Sequence, residues 1–283
     1  MNLDRFKDWM LSENYSIETI KGYERYLKQI RDDIDLEEMD EYFKIARYLH
    51  DSDLPRSQKN NIAKAANAYL RMKGEDYRLK LDKRKGPRDI WIPSKEQAEK
   101  LLEVNCWKNR FYNERNSLLL KILFEAGLRA EEASNLRFSD IKRKKDQQHC
   151  YIHVREGKGG KDRLVPISKD LYEDIEHFEK YYSSSEYIFD NGRGKGVHPK
   201  TVRQICYQAA EATEDQDLID NFHPHAARHY RAVQLVENDI NLEAVRRFLG
   251  HSSLETTKEY LRGSDSLLFD EFEKKDPIFT GGI

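Results

Sequence analysis

The stretch Leu249-Gly250-His251-Ser252-Ser253-Leu254-Glu255-Thr256-Thr257-Lys258-Glu259-Tyr260 decides how the chain is read. It sets a tyrosine nine positions after a histidine, and upstream stands a second cluster, His223-Pro224-His225-Ala226-Ala227-Arg228-His229. A phenol with a pKa of roughly 10 is a weak nucleophile until its proton is removed and its target is polarised. A guanidinium fork matches two non-bridging oxygens of a phosphodiester. Arginines beside histidines and a tyrosine therefore supply the parts for attack on phosphorus.

Two further segments precede these in the chain. Phe124-Glu125-Ala126-Gly127-Leu128-Arg129-Ala130-Glu131-Glu132-Ala133 reads as a helix interrupted by glycine with an arginine close behind. His149 to Arg155 and Arg163 to Ile167 are β-rich runs flanking Glu156-Gly157-Lys158-Gly159-Gly160-Lys161-Asp162, which predicts a hairpin with Lys158 at its tip. Each segment alone has an ordinary explanation: a surface arginine, a glycine-rich turn, a core tyrosine. With Pro224 in a first helical turn, His225 and Arg228 are three apart and share a face. The grouping of His223, His225 and His229 also admits a metal site, though without a cysteine partner nearby.

Taken in order, Ala126-Gly127-Leu128-Arg129-x-x-Glu132, Gly157-Lys158-Gly159 before Arg163-Leu164-Val165-Pro166, His225-x-x-Arg228-His229, Leu249-Gly250-His251 and Tyr260 resemble the Arg–Lys–His–Arg–His–Tyr series of the tyrosine recombinase and phage integrase superfamily. The resemblance covers residues 94–263 in motif detail. It extends more loosely over residues 1–80 through Ser16-Ile17-x-Thr19-x-x-x-Tyr23. It implies that Tyr260 attacks the scissile phosphate, leaving a 3′-phosphotyrosyl bond and a free 5′-hydroxyl. By the same resemblance Arg129 and Arg228 clamp the non-bridging oxygens, and Lys158 protonates the departing 5′-oxygen. His225 and His251 hydrogen-bond the phosphate, His225 being the better acceptor for the phenolic proton, and Glu132 helps hold the site together. No metal, ATP or other cofactor is implied. Ala226-Ala227 before the arginine and His229-Tyr230-Arg231-Ala232 after it depart from the family's usual residues, which alters local packing and suggests a separate branch.

A net charge of −2 over 283 residues looks wrong for a nucleic-acid partner, yet its distribution does not. Residues 55–95 are rich in Arg and Lys, among them Arg56, Lys59, Lys64, Lys83, Arg84, Lys85 and Arg88, and basic stretches recur at 137–163 and 193–203, with Lys161, Lys200 and Arg203. The acidic excess sits at 32–41 and in the C-terminal tail. A basic stripe binds phosphates by releasing counterions even in a neutral chain, although such a run is by default a solvated helix face. No apolar run approaches the roughly 20 residues of a membrane span. The three separated cysteines fit neither a disulfide framework nor a zinc site, and they suit a reducing cytoplasm.

These observations predict a mainly α fold with a small β-sheet or hairpin: a helical core-binding (SAM-like) domain over 1–80, a basic linker over 81–93, and a mixed α/β tyrosine-recombinase catalytic domain over 94–263. In the first domain Ser16 caps a helix carrying Ile20, Tyr23, Tyr26, Leu27 and Ile30, and another opens after Pro55. The two domains would close on duplex DNA like a clamp. The tail, 264–283, carries Leu267, Leu268, Phe269 and Phe272 and either packs on its own domain or exchanges with a neighbour in a tetramer on paired sites. The length leaves no room for an additional arm-binding domain, which favours an Xer-like recombinase over a large temperate-phage integrase. A type IB topoisomerase is the alternative enzyme; it would work as a monomer without a docking tail. An inactive DNA-binding relative is the alternative binding module, and it should have lost a member of the set. Chromosome-dimer resolution, mobile-element integration and a need for accessory proteins all stay open.

Overall fold

The computed structural model describes residues 2–34, 41–82, 90–143, 149–157 and 161–251, with backbone alone at 156, 157 and 161. The chain divides into two units, Met1–Gly86 and Pro87–Ile283. The first is helical among its described residues: α1 (Leu3–Ser12), α2 (Ile17–Asp33), α3 (Glu41–Asp51) and α4 (Arg56–Met72). Asn2 and Ser16 cap α1 and α2, each accepting a backbone N–H of the first turn. Phe6 and Met10 meet Ile20, Leu27 and Ile30, Ile45, and the inner face of α4, where Ile62, Ala65, Ala66 and Tyr69 are buried. Tyr23 and Tyr26, on the predicted stripe of α2, are only half-buried. The alanines of α4 keep its face low, so α2 packs closely along it.

The start of the predicted linker is strapped onto α4. Asn67 pairs through its amide with both backbone groups of Leu79, at 2.9 and 2.7 Å, and Asn60 does the same with Asp82, at 2.9 and 2.8 Å. The two asparagines are seven positions apart and so lie on one helix face. Arg56 adds a third bond, to the Asp82 carbonyl, at 2.9 Å. Lys83, Arg84, Lys85 and Arg88 lie outside the described residues.

In the second unit Ser94 and Gln97 form a capping box at the start of α5 (Lys95–Glu103). The hub is α6 (Arg110–Ala126), whose Leu118, Leu119, Leu120, Ile122, Leu123 and Phe124 are buried on several sides. It ends at Gly127 in the left-handed conformation, φ 58°, and α7 (Ala130–Ser134) follows. The sheet has three antiparallel strands in the order β1 (Ile141–Arg143), β2 (Cys150–Gly157) and β3 (Lys161–Ile167). The hairpin is the predicted one. β1 was not predicted, because three residues reading Ile-Lys-Arg are too few to show an alternation. Then come α8 (Lys169–Tyr182), α9 (Pro199–Ala212), α10 (Gln216–Asn221), α11 (Pro224–Glu237) and α12 (Leu242–Leu249). α11 lies on α6, its Ala226 and Ala227 fully buried, and α12 packs on β3 and α11. The molecule is mainly helical with a small sheet. Among the described residues no helix is long and apolar enough to cross a membrane.

Candidate active site

The centre of the site is a carboxylate between two guanidiniums. Glu132, in the first turn of α7, accepts from the backbone N–H of Arg129 at 2.8 Å and from Arg129 Nη1 at 2.7 Å. Arg163, on β3, adds a two-pronged contact, Nη1 to Oε1 at 2.8 Å and Nη2 to Oε2 at 2.7 Å. Burial alone would raise the Glu132 pKa. The bonds and charge of Arg163, then the backbone N–H and charge of Arg129, outweigh it and hold the carboxyl at about 2. Arg129 reaches further, donating Nη2 to the Gly250 carbonyl at 3.2 Å, and its side chain keeps 19% exposure. It is thus the arginine of the cluster with access to solvent.

Arg228 behaves differently. On α11 it is fully buried and donates to the Gly127 carbonyl at 2.6 Å and to the Leu249 carbonyl. Gly127 is therefore placed by two demands, the left-handed end of α6 and a carbonyl aimed at Arg228. One turn back along α11, at the predicted spacing, stands His225, which is exposed. Partial burial, then Arg228, His223, Arg129 and Arg203, lower its pKa, so it is neutral at pH 7. His223 caps α11, its Nδ1 accepting from the Ala226 N–H at 3.1 Å. His229 is also neutral: burial, then His225, His223 and Arg228, push it to about 3.

His251 completes the described set at the end of α12. It is 5% exposed, and burial, then Arg228, Arg129, Arg163 and His229, push its imidazole to about 3. Its backbone is fixed by Arg246, whose carbonyl accepts the His251 N–H at 3.0 Å and whose Nη1 donates to the His251 carbonyl at 2.8 Å. Gly250, φ 66°, turns the chain here, and a Cβ on it would stand 2.8 Å from Arg163 Cδ. Arg163 also donates Nε to the Phe248 carbonyl at 2.9 Å. The turn and the carboxylate thus share one guanidinium.

The structure gathers Arg129, Glu132, His225, Arg228 and His251 from three chain segments into one neighbourhood. Lys158 and Tyr260 lie outside the described residues, as does the 264–283 tail; Lys161 is described by its backbone alone. Lys200 and Arg203 are exposed on α9, with Arg203 near enough to lower both His223 and His225. On α4 Lys64 is exposed and Lys59 half-buried, while Arg56 is occupied in part by Asp82. Arg163 was read only as part of a strand motif. Its signal was available: with Val165 and Ile167 buried on the inner face, period two sets Arg163 inward, where a charge needs a partner. A cleft beside Arg129 is lined also by Arg137, Asp140, His153 and Arg155, none of which the sequence singled out.

The phage integrase family profile matches residues 93–266 of the chain. Tyrosine recombinase XerA of Pyrococcus horikoshii is 28% identical over 284 residues, covering 98% of this chain and 94% of the relative. A tyrosine recombinase of Pseudothermotoga lettingae is 34% identical over 188 residues, 66% of this chain and 60% of the relative. Among solved structures, XerH site-specific recombinase bound to palindromic difH substrate, a post-cleavage complex, shares the fold with a TM-score of 0.68 at 20% identity, over 93% of this chain and 78% of that one. The chain belongs to the phage integrase family and is a tyrosine site-specific recombinase.

Proposed function

We propose that the chain is an Xer-like recombinase that cuts and rejoins double-stranded DNA at short paired sites, with Tyr260 as nucleophile. The observation that carries this reading is the convergence of Arg129 and Arg228 on His225 and His251, two cations beside two neutral imidazoles, with Arg129 held by the Glu132 carboxylate. The phenolic oxygen of Tyr260 bonds to phosphorus, and its proton passes to neutral His225. The bond from phosphorus to the 5′-oxygen breaks, and Lys158 delivers a proton to that oxygen. Arg129 contacts a non-bridging oxygen, while buried Arg228 supplies unscreened positive charge from beneath. Attack by the partner strand's 5′-hydroxyl reverses the step, so atoms and bond energy balance without a further reactant.

Duplex DNA lies against the exposed cations of each unit, Lys64 on α4 and Lys200 and Arg203 on α9, and its backbone runs through the cleft of Arg129, Arg137 and Arg155. The working assembly is a tetramer on two sites in the cytoplasm, a compartment that suits its cysteines. The test is a supercoiled plasmid carrying two copies of a site first mapped by sequencing the covalent adducts on genomic fragments. Recombinant circles or deletions that require both copies support the reading. Relaxation with equal efficiency on a plasmid lacking the sites, without recombinants, would replace it with a type IB topoisomerase.

A further inference from the structure

The Arg163 guanidinium sits at the active site, yet all three of its nitrogens are engaged by protein oxygens. Nη1 and Nη2 hold the two oxygens of Glu132, Nε holds the Phe248 carbonyl, and the side chain is 8% exposed. With every nitrogen held by the protein and so little of it exposed, it presents almost no surface to a phosphate in this arrangement. Its three bonds tie together three chain segments: β3, α7 and the last turn of α12. We propose that Arg163 is a positioning residue for DNA cleavage, acting through Glu132 on Arg129 and through the Phe248–Gly250 turn on His251; this rests on the reading of Arg129 as the phosphate clamp.

The geometry says how it acts. Glu132 could take a fork-to-fork contact from Arg129, which would draw that guanidinium in and leave it fewer N–H groups for substrate. Arg163 fills the carboxylate first, so Arg129 makes a single side-chain bond to it and turns Nη2 to the Gly250 carbonyl. That carbonyl belongs to the residue before His251, and Gly250 is the residue whose missing Cβ leaves room for the Arg163 stem. A change at Arg163 therefore reaches both ends of the clamp at once. Lysine, a point charge with no planar fork, can keep the charge but not the three directed bonds. Because Arg163 pairs with Val154 near the turn end of the β2–β3 hairpin, the same residue links the hairpin to the clamp.

The test uses full-length Arg163→Lys and Arg163→Met on a nicked duplex of the mapped site, with wild-type adduct formation as the control for the parent reading. If the wild type makes no adduct, the parent reading falls; only the behaviour of the variants bears on Arg163. The expected result is duplex affinity within about 3-fold of wild type, wild-type circular dichroism for Arg163→Lys, and single-turnover cleavage slowed roughly 100-fold, the scale of a small misplacement of reacting groups. In an Arg129→Ala background the added Arg163→Lys change should slow cleavage by roughly 10-fold or less, well short of its effect in the wild type, since one of the two groups it positions is gone. Should Arg163→Met fail to fold, Arg163→Lys decides. Cleavage by Arg163→Lys at the wild-type rate, a full additive penalty in the Arg129→Ala background, or unfolding of both variants would each overturn the proposal.

Discussion

Glu132 illustrates how a single side chain joins stability to chemistry. In the unfolded chain its carboxyl takes up a proton near the ordinary 4.5, in the fold only near about 2. Between those values the unfolded state binds more protons, so stability rises with pH across that window. The contribution is fully present above 4.5 and is lost as pH falls through 2; the shift corresponds to about 3 kcal/mol. His251 and His229 act in the same direction over a higher window, since the unfolded imidazoles charge below 6.5 and the folded ones only near 3. Urea midpoints should therefore fall as pH drops from 6.5, and more steeply below 4.5. Glu132→Gln should lower the midpoint at pH 7, because two guanidiniums lose their counter-charge, and should also flatten the portion below 4.5. An unchanged slope there would show that the carboxylate does not carry it. At this scale the sequence was partly legible. Spacing paired His225 with Arg228, but not that one would be exposed and the other buried under two carbonyls, because burial is decided by α6 and α12, far away in the chain.

The elements were legible where local chemistry is strong. The Ser16 cap, Pro224 in a first turn and the β-rich runs each have their signal within a few residues, and the structure has all of them. What was not legible is what one element does to another. Arg163 pairs across β2 with Val154 and looks like a strand charge until α7 and α12 are brought against it. The hairpin's functional claim concerns Lys158. If it is the general acid, Lys158→Ala should cleave an ordinary phosphodiester at least roughly 100-fold more slowly, and a 5′-bridging phosphorothiolate, whose leaving group needs no proton, should restore the rate. Equal impairment on both substrates, measured by single-turnover adduct formation, would make Lys158 a phosphate or loop contact instead.

For the whole molecule, the proposed tetramer makes the tail the segment to test. Residues 264–283 lie outside the described residues; the sequence there carries Leu268, Phe269 and Phe272. Burying three such side chains on a neighbour contributes a few kcal/mol at roughly 25 cal/mol per Å², enough to bias assembly once DNA raises the local concentration. Deleting 264–283 should leave single-site binding intact in a mobility-shift assay and abolish two-site complexes and strand exchange; recombination at the normal rate would put the tail back on its own domain. Binding itself should weaken steeply as salt rises, because its affinity comes from phosphates.

The central claim is that this chain breaks DNA by making a bond from Tyr260 to phosphorus, and the most direct measurement is of that bond. The protein is trapped on a nicked duplex of its mapped site, the DNA is trimmed with nuclease, and the modified peptide is sequenced by mass spectrometry. The expected product is a nucleotide linked through its 3′-phosphate to Tyr260, with no denaturant-stable adduct from Tyr260→Phe although that variant binds the duplex normally. An adduct formed by Tyr260→Phe, or one mapped to Tyr230, which packs edge-on against Phe124 with ring centres 5.5 Å apart, would contradict it.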